Sequence, residues 1–113
     1  MENELIGIAM DMILKAGDAR LHIHEALAYM KEFAFDKAEQ SLSEGEIDLR
    51  ASHRTQTDVI QNEARGNTYQ YSMLFAHAQD TLMTVNSEYN LAKEMLGIFR
   101  MMDERYCRKG ESA

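Results

Sequence analysis

Apolar residues recur along the first third of the chain at alternating intervals of four and three: Leu5, Ala9, Met12, Ala16, Ala19, Ile23, Ala26, Met30 and Phe33. The run spans about four heptads, as expected of a helix that buries one face along its whole length. It predicts a helix over residues 3–33. Gly17 interrupts this helix at a cost of about 1 kcal/mol relative to Ala, and its small size would let another helix come close. A second helical pattern runs from Asp36 to Ala64, with Phe35, Ala38, Leu42, Leu49, Ala51, Val59 and Ile60 on its apolar side. Asp36 is placed as its N-cap. Ser43-Glu44-Gly45-Glu46 weakens the middle, but Ile47 and Leu49 resume the pattern without turn residues, so one continuous helix is predicted. Arg65-Gly66-Asn67-Thr68 then reads as a glycine stop and loop. A third helix is predicted from Ser72 to Cys107, with the Ser72 hydroxyl capping the free amide of Leu74 or Phe75.

The third helix carries two apolar seams, one through Leu82, Val85, Tyr89, Ala92, Leu96 and Phe99, the other through Leu91, Met95, Ile98 and Met102. A three-helix bundle uses one broad stripe per helix, so the second seam predicts a further contact surface. The chain has 113 residues with no proline and six glycines, so few turns are forced. The predicted fold is therefore all-α: a single domain over residues 1–113, an antiparallel up-down-up three-helix bundle that associates with copies of itself.

Composition removes several function classes. The net charge of −7 opposes nucleic-acid binding, and the densest basic patch, Arg100, Arg105, Arg108 and Lys109, lies at the C-terminal end of a helix, where cations suit the dipole. The apolar runs are short, so no membrane span is expected, and the acidic start Met1-Glu2-Asn3-Glu4 does not read as a secretory signal. The single cysteine, Cys107, excludes an internal disulfide and suits a reducing cytoplasm.

The chemistry concentrates in Tyr71-Ser72-Met73-Leu74-Phe75-Ala76-His77-Ala78-Gln79-Asp80-Thr81-Leu82-Met83-Thr84. His77 falls about one and a half turns into the third helix, whose free amides and partial positive charge favour an anion. A neutral imidazole is a competent nucleophile toward an activated phosphoryl group. Thr81 lies one turn on and offers a hydroxyl donor; Gln79 offers an amide from a different face. Asp80 sits on a stripe with Met73, Ala76 and Met83. A carboxylate in apolar surroundings needs a partner, a proton or a metal. Around a three-fold axis, copies of Asp80 would meet and a divalent cation would neutralise them. His22 and His24 are two residues apart on different faces, so they do not form a helical metal pair and read as surface residues. No nucleophile triad and no glycine-rich phosphate loop is present.

These residues resemble the lactose/cellobiose-type enzyme IIA of the bacterial phosphoenolpyruvate-dependent sugar phosphotransferase system. Ala16-Gly17-Asp18-Ala19-Arg20 is similar to the family's first-helix motif. Ala51-Ser52-His53-Arg54-Thr55-Gln56-Thr57 is similar to its second, and Tyr71-Ser72 with His77-Ala78-Gln79-Asp80-Thr81-Leu82-Met83-Thr84 is similar to the signature around its phosphorylated histidine. The resemblance implies a cytoplasmic homotrimer in which His77 takes a phosphoryl group from the phosphocarrier HPr. It implies onward transfer to a cysteine of a cognate enzyme IIB, serving uptake of a β-linked disaccharide (lactose, cellobiose or chitobiose class) through the membrane component IIC. Gln79 matches the glutamine beside the phosphorylation site. Asp80 matches the aspartate at the trimer centre, associated with a divalent metal, commonly magnesium. The family usually has a second histidine where this chain has Thr81, so Thr81 takes over phosphoryl stabilisation with one hydrogen bond and no charge. The alternative reading is a trimer of the same fold with a regulatory or structural role that no longer transfers phosphate.

Overall fold

The computed structural model describes residues 2–112. Three helices run up, down and up: α1 (Glu2–Lys31), α2 (Phe35–Ala64) and α3 (Met73–Ser112). They form a rod of 67 × 21 × 18 Å. The four-and-three seam of α1 is the spine of the core, because Leu5, Ala9, Met12, Ala16, Ala19, Ile23, Ala26 and Met30 are all buried. Ala38, Leu42, Leu49 and Val59 of α2 meet it, as do Ala78, Leu82, Val85, Tyr89, Ala92 and Leu96 of α3. The alanines at the helix crossings let the backbones approach closely, and burial of the larger chains between them supplies about 1.5–3 kcal/mol each.

Two of the sequence motifs act as clasps between helices. In the first, the Arg20 guanidinium donates to both oxygens of Glu88, at 3.1 and 2.8 Å, and ties α1 to α3. In the second, buried Ser52 donates its hydroxyl to the Met12 carbonyl at 3.2 Å and ties α2 to α1.

The helix ends depart from the pattern in three places. α1 stops at Lys31, and Phe33, expected as the last core residue, lies outside the helix, 69% exposed. The α1–α2 hairpin is closed by backbone bonds, with Phe33 N donating to Met30 O and Ala34 N to Tyr29 O, and this bends Phe33 into the left-handed region at φ 60°. Asp36 is not the N-cap of α2. That position is Ala34, without a side-chain cap, and Asp36 lies in the first turn, where its charge still suits the dipole. α2 is continuous through Gly45, and it is Gly45 rather than Gly17 that marks a close approach. A Cβ on Gly45 would meet the Ala19 carbonyl at 3.3 Å, whereas one on Gly17 would meet nothing within 4 Å. Ile60 and Ile47 of α2 are exposed.

The start of α3 is as predicted: the Ser72 hydroxyl accepts from the Phe75 amide at 3.1 Å. Its end overshoots. Arg100 bonds Asp36 and Glu39 at the first turn of α2, so the residues after it run past the α1–α2 turn. Phe99, placed at the end of the inner seam, is instead exposed, lining an open groove with Met30, Phe33 and Phe35 at the α1–α2 turn.

Candidate functional site

Leu91, Met95, Ile98 and Met102, the second seam of α3, are all exposed on the protomer. Counting back along the helix from Leu91, Asp80 lies three turns away and Met73 a further heptad, so all three share one line opposite the core seam. Met73 is 77% exposed and Met83 beside the line is exposed as well. Asp80 thus stands in an apolar stripe as the spacing indicated, on the outer surface of the protomer rather than inside it. Among the described residues it has no cationic partner.

His77 is exposed. It lies three turns from Glu88 and shares its face. Because Glu88 meets Arg20 of α1, that face is the α1 side of α3. α1 contributes its own exposed apolar residues, Ile6, Met10, Leu14 and Leu21. By helical phase Ile6 and Met10 lie toward the Arg20 side of α1, whereas Leu14 and Leu21 point away from the core, between that side and the flank where His22 meets Glu44 and Asp48 of α2. The outer seam of α3 and the Ile6 and Met10 edge of α1 therefore border one apolar face turned away from α2, and His77 opens at its margin.

The structure brings only some of the candidate residues together. Asp80 and Thr81, three and four residues beyond His77, are its neighbours on the helix surface. The Thr81 hydroxyl donates to the His77 backbone carbonyl at 2.8 Å, so its one proton is held by the helix backbone in this conformation. Gln79 is turned about 200° from His77 on the helical wheel. It lines a separate pocket of about 180 Å³ with Leu5, Tyr71, Ser72 and Phe75. Leu74 and Phe75 pack half-buried against the core and fix the first turn of α3 beneath His77.

Sequence reasoning treated His22 as an ordinary surface residue, but the fold places three carboxylates around it: Glu25, Glu44 and Asp48. Glu25 was visible one turn along α1. The other two come from α2, and only the helix pairing reveals them. No helix among the described residues is long and apolar enough to cross a membrane.

Comparison with known proteins gives a consistent result. Residues 7–100 match the family described as "PTS system, Lactose/Cellobiose specific IIA subunit". The matched part ends where α3 passes the α1–α2 turn. The chain is 35% identical over 99 residues to the PTS system lactose-specific EIIA component of Staphylococcus epidermidis, covering 88% of this chain and 93% of that protein. Its fold is similar to the crystal structure of PtcA from S. mutans, at 37% identity and a TM-score of 0.87, over 88% of this chain and 98% of the other. It is also similar to the IIA(Chitobiose)-HPr complex of the N,N'-diacetylchitobiose branch of the Escherichia coli phosphotransferase system. There the identity is 26% and the TM-score 0.76, over 88% of this chain and 96% of that one.

Proposed function

The chain belongs to the lactose/cellobiose-specific IIA family of the sugar phosphotransferase system, and on that premise we propose that His77 is the phosphoryl carrier between HPr and a cognate enzyme IIB. The observation that carries this reading is an exposed imidazole near the start of α3, on a stiff helix and at the margin of an apolar face. Transfer between two protein side chains passes through a loose transition state, so catalysis is mainly alignment and electrostatics. An imidazole nitrogen of His77 forms the bond to phosphorus as the bond to the donor breaks. The phosphoryl group then leaves His77 for the sulfur of a IIB cysteine, which gives up its proton. The protein needs no deep pocket for this. It needs a fixed imidazole that two partners cover in turn, with Met73 and the apolar surface beside it excluding water. The likeness to a IIA in complex with HPr supports the donor. The cytoplasm as the site of exchange, the membrane component IIC as the final consumer and a β-linked disaccharide as the sugar follow from the same reading.

The working form is a homotrimer that buries the apolar face of α1 and α3. That face exposes Met73, Leu91, Met95, Ile98 and Met102 of α3 with Asp80 among them, the pattern of an interaction surface. Three copies of Asp80 on an axis supply oxygen ligands that suit magnesium or another hard divalent cation, and the absence of a cationic partner for Asp80 among the described residues fits that role. When bound, such an ion neutralises the carboxylates; it takes no part in the transfer.

Thr81 favours a second reading, since its hydroxyl is engaged with the His77 carbonyl and cannot carry the charge of the family's usual histidine. In that reading the protein is a trimer with a regulatory or structural role. Mixing the chain with phosphorylated HPr and then with candidate IIB proteins decides between the two. Transfer of label through the chain to a IIB thiol supports the carrier, and a correctly folded trimer that never accepts label supports the alternative.

A further inference from the structure

We propose that His22, Glu25 and Glu44 form a site for a divalent transition-metal ion that clamps α1 to α2, separate from Asp80 and His77. The His22 Nδ1 atom lies 3.4 Å from Glu25 Oε2 and 3.3 Å from Glu44 Oε2. The three ligand atoms are all within 4.8 Å of one another. A tetrahedral ion with bonds of about 2.0–2.2 Å holds its ligand atoms about 3.4 Å apart, so these atoms already stand near the edges of such a shell. On the other side of the ring, His22 Nε2 faces Asp48 Oδ2 at 3.7 Å. With an ion on Nδ1, the Nε2–H would point at this carboxylate, and a slight approach of Asp48 would let it accept that hydrogen bond, the arrangement that orients metal-binding imidazoles.

Charge points the same way. Among the described residues, no Lys or Arg pairs with Glu25, Glu44 or Asp48; His22 is their only partner. Three carboxylates bring three negative charges to one imidazole, and a divalent ion would offset two of them. The backbone holds the arrangement in place. Gly45 lets α2 approach until a Cβ there would stand 3.4 Å from His22 Cβ, and this pins Glu44 beside the ring. A nitrogen donor with two carboxylates suits zinc or cobalt better than magnesium or calcium, which prefer oxygen alone.

Titration of the full chain with Co²⁺, in a large excess of Mg²⁺ to occupy oxygen-only sites, tests the site by visible absorption. The expected result is a saturable, intense four-coordinate spectrum, one ion per protomer, displaced by Zn²⁺ and lost in His22→Gln. Glu44→Gln leaves the imidazole in place and should weaken Co²⁺ at least about tenfold; Asp48→Asn should weaken it about 10–100-fold. A titration that does not saturate, or a His22→Gln or Glu44→Gln chain with native circular dichroism that binds Co²⁺ as the wild type does, overturns the proposal.

Discussion

Replacing Tyr89 by Phe removes one hydroxyl and keeps the ring that fills the core between α2 and α3. That hydroxyl donates to Glu46 Oε2 at 2.9 Å, and Tyr89 is 8% exposed. A hydrogen bond to a charged acceptor contributes about 1.5–3 kcal/mol when well shielded. Here the Glu46 side chain keeps 36% of its surface and also meets Arg50, so water and a second donor screen it. The expected cost of Tyr89→Phe at neutral pH is therefore about 1 kcal/mol, or about 4 °C in melting temperature. The pH dependence is more specific than the size. The Tyr89 bond, with help from Arg50 and Lys93, holds the Glu46 carboxyl below its ordinary value of 4.5. Burial first, and Glu46 second, push the Tyr89 phenol up to about 12. A depressed carboxyl stabilises the fold above its unfolded value and stops doing so as pH falls through the lowered folded one. A raised phenol stabilises the fold below its unfolded value of 10, and that contribution fades as pH climbs toward about 12. The penalty should thus be level between about pH 5 and pH 10 and shrink on both sides. Urea unfolding of both chains across this range, at fixed protomer concentration, measures it. A penalty that does not change on the acid side, or one above about 3 kcal/mol, would refute this account of the bond.

Four further outcomes follow from the same geometry. Leu82→Ala opens a cavity at a fully buried position and should cost about 2–5 kcal/mol in urea unfolding, whereas Leu91→Ala, on the outer seam, should spare the helices and weaken self-association seen by sedimentation. Ser72→Ala removes the cap on the Phe75 amide and should cost about 1 kcal/mol of stability, with faster amide exchange confined to the first turn of α3. Asp80→Leu should leave the proposed trimer intact or tighter, since an apolar side chain avoids desolvating a charge; dissociation to monomers in the ultracentrifuge would contradict the proposed axial placement.

The helices were legible because no proline breaks them, and the inner faces of α1 and α3 because each carries a continuous heptad seam; in α2, Gly45 and Ser52 take core positions and Ile60 turns outward. The outer face was legible too, since Leu91, Met95, Ile98 and Met102 exceed what one core stripe needs. What was missed lies where tertiary contacts override local signals. The α1–α2 turn carries no glycine or asparagine to mark it, and Phe33 takes the left-handed conformation in their place. Asp36 looks like a cap, but the hairpin's backbone bonds put the N-cap of α2 two residues earlier, at Ala34. Gly17 and Gly45 are equivalent as letters, and only the crossing of α1 and α2 tells which one a neighbour approaches. Near the start of α3, the placement of His77 and Asp80 as surface neighbours was readable from spacing along one helix. The acidic surroundings of His22 were not, because Glu44 and Asp48 lie far from it in sequence.

The most direct test of the carrier role is to incubate the chain with labelled phosphoenolpyruvate, enzyme I and HPr and to map the label. The account predicts one acid-labile phosphate per protomer, on His77, and none on a folded His77→Ala chain. Label that stays at the wild-type level in His77→Ala, or a wild-type chain that takes up none, would contradict it.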